Sequence, residues 1–200
     1  METRTLYFLI FIPLAYLIGS IPTGIIIVKL TGGVDPRSAG SGNIGATNVG
    51  RTSGKMAGVF TLIGDLVKGA LPTYGAFLLY PDTLFVSLIG LASFLGHLFP
   101  VYLKFKGGKG VATACGVMLV ISPIATLLSA SVFILLVAAK RYVSLGSMGA
   151  AAMMPVFLSF LTKGRPYLPV GVLISTLVIL KHKENIRRLA EGKENKVGRK

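Results

Sequence analysis

Long apolar segments with few charges constrain this chain more than any other feature. Residues 6–30 are long enough to cross a bilayer at about 1.5 Å per residue. Further apolar segments follow at 57–80, 84–103, 142–161 and 168–180. Only 14% of the 200 residues are charged and 52% are hydrophobic, whereas soluble domains carry roughly 25% charged residues. The pattern predicts an all-α integral membrane protein, with residues 1–200 forming a single polytopic membrane domain.

The segment 111–139 can be interpreted in two ways. As one helix it would measure about 43 Å, well beyond a hydrocarbon core of about 30 Å. Ser122–Pro123 lies near its middle and can divide it into two short helices with a tight outer turn. Because Lys and Arg near span ends favour the cytoplasm, the number of spans decides which side the basic residues occupy.

The hairpin gives the better charge distribution. With it, 17 of the 21 Lys and Arg residues lie inside, namely Lys29, Arg37, Arg51, Lys55, Lys104, Lys106, Lys109, Lys140, Arg141 and the eight of the tail. Arg4, Lys163 and Arg165 lie outside, and Lys68 falls within a span. A single span would move Lys140, Arg141 and the tail outside. We therefore predict seven transmembrane helices, the N-terminus outside and the C-terminus cytoplasmic, with functional cytoplasmic segments at 31–55, 104–113 and 181–200.

The net charge of +14 is then concentrated on the inner surface. Topology and attraction to anionic lipids explain a basic inner face without any further function. Nucleic acid is not an expected partner, because the basic residues flank spans and are not interleaved with aromatics. Within the second span, Asp65 and Lys68 lie three residues apart and can neutralise each other as a structural pair. These two and His97 are the weaker candidates for function.

The first unusual segment is Gly-, Ser- and Asn-rich and covers residues 38–51. Small residues allow close backbone approach and positive φ, which exposes successive N–H groups to an anion. A flexible linker would not need the polar side chains found here. The residues predicted to bind phosphate are Gly40, Ser41, Gly42, Asn43, Gly45, Ala46, Thr47, Asn48 and Arg51.

The second segment places glycines and lysines directly before a predicted helix. The free N–H groups, the positive end of the helix dipole and an ammonium group favour an anion there. The strand and the glycine spacing of a P-loop are missing. The predicted binding residues are Lys106, Gly107, Gly108, Lys109, Gly110 and Thr113.

The third segment begins the charged tail. If the last helix continues past the membrane surface, His182, Asn185 and Leu189 share one face. A histidine near an interface is more often packed or solvated than catalytic. Here, however, it returns to the same side of the membrane as the two predicted anion-binding segments.

These three segments together resemble a known family. Residues 40–51 (GSGNIGATNVGR), 107–113 (GGKGVAT) and 182–194, with His182, Asn185, Arg188, Leu189 and a later Glu194, are similar to the signature segments of the bacterial acyl-phosphate-dependent glycerol-3-phosphate acyltransferases, the PlsY family. The resemblance runs through all three segments in order and covers essentially the whole chain. The His-x4-Asp dyad of many other glycerolipid acyltransferases is missing, because Tyr102 follows His97 and Arg187 follows His182 at that spacing.

The resemblance implies transfer of an acyl group from acyl phosphate to the 1-hydroxyl of glycerol 3-phosphate in phospholipid biosynthesis. The products are lysophosphatidic acid and inorganic phosphate. Arg51 and Lys109 are expected to meet the substrates' charge, and His182 with Asn185 to orient or deprotonate the hydroxyl. A substrate phosphate oxygen could accept that proton instead, and Ser41 as a covalent nucleophile is the weaker alternative because no base adjoins it in sequence. Glu194 is expected to be structural, tying the tail to the basic loops.

The remaining expectations concern partners and place. No cofactor or metal is expected, because the two histidines are far apart in sequence and no carboxylates cluster. A monomer in the bacterial inner membrane is expected, and the distribution of Lys and Arg predicts that its active site faces the cytoplasm. The alternative function is a transporter of a phosphorylated solute, which would need polar groups at mid-membrane and usually repeated halves. No internal repeat is evident.

Overall fold

The computed structural model describes residues 3–161 and 163–198, and all regular structure within them is helical. The chain divides into two compact units, Met1–Val120 and Ile121–Lys200. The first contains α1 (Thr3–Gly19), α2 (Thr23–Thr31), α3 (Ala46–Thr52), α4 (Lys55–Leu79), α5 (Thr83–Leu98) and nearly all of α6 (Val111–Ile121). The second contains α7 (Pro123–Lys140), α8 (Val143–Phe160), α9 (Leu168–Lys181) and α10 (Lys183–Ala190).

Helix α4 has the inverted polarity expected of a membrane span. Its buried face carries polar side chains, including Thr61, Asp65, Lys68 and Thr73. Its exposed side chains are large and apolar, as at Phe60, Ile63, Leu71 and Phe77. An exposed apolar surface of this extent is unfavourable in water but matches hydrocarbon. This polarity agrees with the predicted integral membrane protein.

The helix lengths agree only in part with seven spans. Helices α4, α7 and α8, and the segment Thr83–Leu103, are long and apolar enough to cross a bilayer by themselves. Helices α1 and α2 meet the same test as a pair bent by 42°, so the predicted first span is broken near Pro22. Helix α6 has 11 residues and α9 has 14, which correspond to about 17 and 21 Å.

The predicted break at Ser122–Pro123 is confirmed. Helix α6 ends at Ile121, and Pro123 is the first residue of α7, where its missing N–H costs no hydrogen bond. The prediction of two short helices is wrong for the second, because α7 extends over 18 residues and is long enough to span. The loop predicted over 31–55 also contains a short helix, α3.

Glycines allow the helices of the first unit to pack with their backbones in contact. A Cβ at Gly19 of α1 would lie 1.9 Å from the carbonyl oxygen of Ser93 in α5. A Cβ at Gly116 of α6 would lie 2.1 Å from the carbonyl oxygen of Leu66 in α4. Membrane helices commonly associate through small residues at such contacts. Helix α1 is thereby held close to α5, and α6 is held close to α4.

The second unit is a bundle of α7, α8 and α9 that carries the tail. Gly146 of α8 packs against Phe133 and Val137 of α7, and Gly171 of α9 packs against Leu158 of α8. The helical path is interrupted at His182, so α9 does not continue directly into the charged tail. The backbone N–H of His182 bonds to Ile179 O, three residues back, and α10 then begins at Lys183.

Candidate functional site

The glycine-rich loop is organised around the buried side chain of Asn48. Its Nδ2 donates to the carbonyl oxygens of Pro36, Ala39 and Asn43 at 2.8 to 3.0 Å. Its Oδ1 accepts a hydrogen bond from the backbone N–H of Ser41 at 2.8 Å. One amide therefore satisfies four backbone groups and fixes the loop's shape.

The same loop has the backbone conformations expected from its glycines. Gly40 and Gly42 have φ of +62° and +70°, which side chains with a Cβ rarely adopt. The Asn43 Oδ1 accepts from the backbone N–H of Gly45 at 2.8 Å, where the chain enters α3. The side chains of Ser41, Thr47 and Arg51 are exposed, whereas Asn48 is 2% exposed. The structure thus separates the loop's internal support from its outward-facing polar groups.

The second glycine-rich segment, residues 106–113, packs against His97 through Gly107 and Gly108. The N–H of Gly108 donates to His97 O at 3.2 Å, and a Cβ at Gly108 would lie 2.3 Å from the imidazole Nε2. Gly107 is equally constrained, because its Cβ would lie 2.1 Å from His97 O. The turn leading into the segment has positive φ at Lys104 and Phe105, which sequence reasoning did not find. Gly108, Gly110 and Thr113 are buried, and Lys106 is exposed.

A buried polar cluster lies among α2, α4, α5 and α6. The Nζ of Lys68 lies 2.8 Å from Asp65 Oδ1, which confirms the predicted structural pair. The same carboxylate oxygen accepts from the hydroxyl of Thr23 and lies 3.5 Å from Nδ1 of His97. Thr113 Oγ1 lies 3.1 Å from that nitrogen. All these side chains except Thr23 are at most 5% exposed.

In the second unit, His182 is buried and its ring is oriented by its own helix. Its Nδ1 lies 2.8 Å from the carbonyl oxygen of Val178. Since a carbonyl only accepts, Nδ1 carries a proton, and in the neutral ring the lone pair is on Nε2. This tautomer is suited to accept a proton at Nε2.

Glu194 connects the tail to two helices of the second unit. Its Oε1 accepts from Ser144 Oγ at 2.8 Å and from Asn185 Nδ2 at 2.7 Å. Its Oε2 pairs with Arg188 Nε at 2.7 Å. Burial raises the pKa of Glu194, but the hydrogen bonds from Asn185, Ser144 and Arg188 outweigh it, so the pKa lies below its ordinary value of 4.5. The carboxylate therefore remains charged near neutral pH.

The predicted residues thus belong to two sets. In the first unit, the segments 40–51 and 106–113 each contact an element that holds the Asp65 cluster, Ile44 against Gly24 of α2 and Gly108 against His97 of α5. The second unit brings together His182, Asn185 and Glu194 on α10 and its flanks. The sequence predicted Asn48 and Thr113 as ligand-binding residues, and the structure shows in addition that the Asn48 amide bonds to the loop backbone and that the Thr113 hydroxyl faces the His97 imidazole. Sequence reasoning also rated His97 low, although that residue underlies Gly108.

Apolar spans that carry basic, glycine-rich loops define an integral membrane protein suited to an anionic ligand. The family model for glycerol-3-phosphate acyltransferases matches residues 9–192. The glycerol-3-phosphate acyltransferase of Syntrophotalea carbinolica is 53% identical over 191 residues, covering 94% of this chain and 97% of that protein. That of Geobacter sulfurreducens is 50% identical over 188 residues, covering 94% and 96%. The chain belongs to the glycerol-3-phosphate acyltransferase family.

Solved structures agree with this assignment. A crystal structure of PlsY, an integral membrane glycerol 3-phosphate acyltransferase, in its glycerol 3-phosphate form, is 44% identical with a TM-score of 0.91 and covers 95% of each chain. A second, the lysophosphatidic acid form, is 43% identical with a TM-score of 0.89 at the same coverage. The family predicted from the three sequence segments is confirmed, and the chain is an acyltransferase.

Proposed function

We propose that this enzyme transfers an acyl group from acyl phosphate to the 1-hydroxyl of glycerol 3-phosphate, giving lysophosphatidic acid and inorganic phosphate. The observation that supports glycerol 3-phosphate as the acyl acceptor is the close match to PlsY in its glycerol 3-phosphate and lysophosphatidic acid forms. The acyl-phosphate donor is supported by the two basic, glycine-rich segments, since both substrates then carry phosphate. The relatives are acyltransferases, which favours this function over a transporter.

The glycine-rich segments supply the phosphate contacts. Arg51 offers a planar guanidinium at the end of α3, and Lys106 and Lys109 offer ammonium groups before α6. The exposed hydroxyl groups of Ser41 and Thr47 in the same loop add hydrogen-bond donors for a phosphate oxygen. Neutralising phosphate charge makes inorganic phosphate a better leaving group, so positioning and electrostatic stabilisation carry most of the rate acceleration.

His182 and Asn185 act on the acceptor hydroxyl. The glycerol oxygen attacks the acyl carbon while its proton passes to Nε2 of His182 or to a phosphate oxygen of the donor. The bond from the acyl carbon to the phosphate oxygen then breaks, and inorganic phosphate leaves. Ser41 is exposed, and its backbone N–H is bonded to Asn48. In this proposal its hydroxyl donates a hydrogen bond to a substrate phosphate. Glu194 is structural, because it orients Asn185.

The membrane arrangement completes the proposal. Helices α6 and α9 join the longer spans to give seven, with the N-terminus outside and the C-terminus cytoplasmic. Residues 1–200 are a single polytopic membrane domain in this proposal, and the three functional segments face the cytoplasm from a bacterial inner membrane. The enzyme works as a monomer and needs no cofactor. The excess of Lys and Arg in segments 31–55, 104–113 and 181–200 supports this orientation.

A phosphate-release assay on the purified protein tests the function. With acyl phosphate in detergent or lipid, release should depend on glycerol 3-phosphate. Arg51→Ala and His182→Ala should each remove most turnover without unfolding the protein. Arg37→Ala is the matched control, because Arg37 is an exposed arginine of the same loop whose guanidinium pairs with Asp35; turnover should stay within about twofold. Phosphate release that stays at the background rate with both substrates present would contradict the proposed function. Retained turnover in both Arg51→Ala and His182→Ala would contradict the assignment of these residues to the active site.

A further inference from the structure

The buried Asp65 cluster has no part in the chemistry assigned above. Three ionisable side chains, Asp65, Lys68 and His97, are enclosed among helices at 2 to 5% exposure. Burying such groups is unfavourable unless they are paired, and apolar replacements often stabilise a protein as well or better. Packing alone therefore does not explain their presence. Their contacts lead directly to the two glycine-rich segments.

On one side, the cluster supports the segment that precedes α6. The imidazole of His97 touches Gly108 through Nε2 and faces Thr113, in the first turn of α6, through Nδ1. The His97 carbonyl oxygen accepts from Gly108 N. Both ends of the stretch 108–113 therefore rest on a single residue of α5. Asp65 lies 3.5 Å from Nδ1, and since an ionised carboxylate only accepts, it favours a proton on that nitrogen.

On the other side, the cluster reaches the 40–48 loop. Asp65 also accepts from Thr23 in the first turn of α2, and Lys68 Nζ donates to Ile21 O at 2.8 Å, at the break between α1 and α2. Gly24, which follows Thr23 in α2, packs against Ile44, since a Cβ at Gly24 would lie 2.1 Å from the Ile44 carbonyl oxygen. The Asp65 carboxylate is thus connected through Thr23 to the 40–48 loop and through His97 to the segment that precedes α6.

We propose that His97 is a positioning residue for phosphate binding, held by Asp65 and Thr113, and that the Asp65–Lys68 pair sets the geometry of both glycine-rich segments together. His97 does not touch substrate. It holds Gly108 and the first turn of α6 so that Lys109 and the nearby N–H groups converge on one phosphate. The inference rests on the proposed function, in that residues 106–113 bind a substrate phosphate.

Two buried threonines provide a matched test in the full-length, solubilised enzyme. Thr113→Val removes the hydroxyl that faces His97, and Thr73→Val removes a hydroxyl that bonds to Gly69 O within its own helix. Both side chains are 0% exposed, and both substitutions keep the side-chain shape. Thr113→Val should raise KM for one phosphate substrate about 10-fold, with a smaller change in kcat. Thr73→Val should leave both KM values unchanged.

Substitutions of His97 separate positioning from simple packing. The amide nitrogen of Asn can take the place of Nδ1 toward Asp65 and Thr113, whereas Ala provides no donor. We expect His97→Ala to raise KM about 100-fold. His97→Asn should raise KM by a smaller factor. The melting temperature of each variant identifies unfolding. Equal KM values for the two His97 variants, with both folded, would contradict the proposal.

A Lys109→Ala variant distinguishes failure of this inference from failure of the proposed function. A raised KM in Lys109→Ala together with a raised KM in Thr113→Val supports both. A raised KM in Lys109→Ala with wild-type values in Thr113→Val overturns the positioning role alone. Wild-type KM values in Lys109→Ala overturn the assignment of residues 106–113 to phosphate, and the inference fails with it.

Discussion

Glu194 Oε1 accepts a hydrogen bond from Asn185 Nδ2 at 2.7 Å, so a residue of the tail orients the amide that we assign to the active site. The same oxygen accepts from Ser144 at the start of α8. Because Asn185 is buried and its Nδ2 has this partner, a disturbance of Glu194 should reach the reaction without a change in any substrate contact.

Glu194→Gln should lower both turnover and stability. The Gln amide keeps one oxygen but places an N–H group against donors that now face a carboxylate, and Arg188 loses its charge partner. We expect a loss of about 1–3 kcal/mol in unfolding free energy and a clear fall in kcat. Glu191→Gln is the control, because its pair with Lys193 is exposed and should change stability by less than about 0.5 kcal/mol. Thermal unfolding and phosphate release measure both effects, and equal behaviour of the two variants would contradict the account.

The lowered pKa of Glu194 gives a pH dependence with a definite sign. The unfolded chain binds a proton near the ordinary pKa of 4.5, whereas the folded chain binds it only at lower pH. The stabilisation is therefore fully present above pH 4.5 and is lost as the pH falls through the folded value. Melting temperatures across this range should fall more steeply for the parent enzyme than for Glu194→Gln. Parallel curves of melting temperature against pH would show that ionised Glu194 does not stabilise the folded protein.

Asn48→Asp should disorganise the 36–48 loop while leaving the helices intact. A carboxylate cannot donate to the carbonyl oxygens of Pro36, Ala39 and Asn43, and it would place negative charge against them. We expect faster limited proteolysis of the loop and loss of most turnover. Asn43→Asp provides the comparison for loop order, since its oxygen only accepts from Gly45 and a carboxylate can do the same. Equal protection of the loop in both variants would argue against a central role for Asn48.

Two glycines of helices that pack together should respond to Ala with opposite signs. Gly116→Ala would push a Cβ to 2.1 Å from Leu66 O, between α4 and α6, and overpacking of this kind costs about 1–3 kcal/mol. Gly75 of α4 has open space at its Cβ position, so Gly75→Ala should raise stability by roughly 0.5–1 kcal/mol through helix propensity. Thermal unfolding in one detergent measures both. Destabilisation by both substitutions to the same extent would contradict the close α4–α6 contact.

The sequence predicted features that depend on local spacing. The break at Ser122–Pro123 follows from the missing proline N–H, and the Asp65–Lys68 pair follows from a separation of one helical turn. The interruption at His182 was not predicted, because a short 3₁₀-type bond to Ile179 leaves no pattern in hydropathy.

Contacts between distant segments were out of reach of the sequence. His97 meets Thr113 across 16 positions, and Asn48 supports Pro36 across 12. The motif spacing identified Asn48 and Thr113 as important, but a polar residue in a glycine-rich motif can face a ligand or the loop's own backbone. Only the backbone path distinguishes the two, and here both side chains face inward.

In the proposed reaction, the acyl carbon moves from a phosphate oxygen to the 1-oxygen of glycerol 3-phosphate. Glycerol 3-phosphate labelled with ¹⁸O at its 1-hydroxyl, incubated with acyl phosphate and the purified enzyme, tests it most directly by mass spectrometry of both products. We expect the label to stay in the ester of lysophosphatidic acid and the released phosphate to be unlabelled. Label in the phosphate, or release of phosphate without any labelled ester, would contradict it.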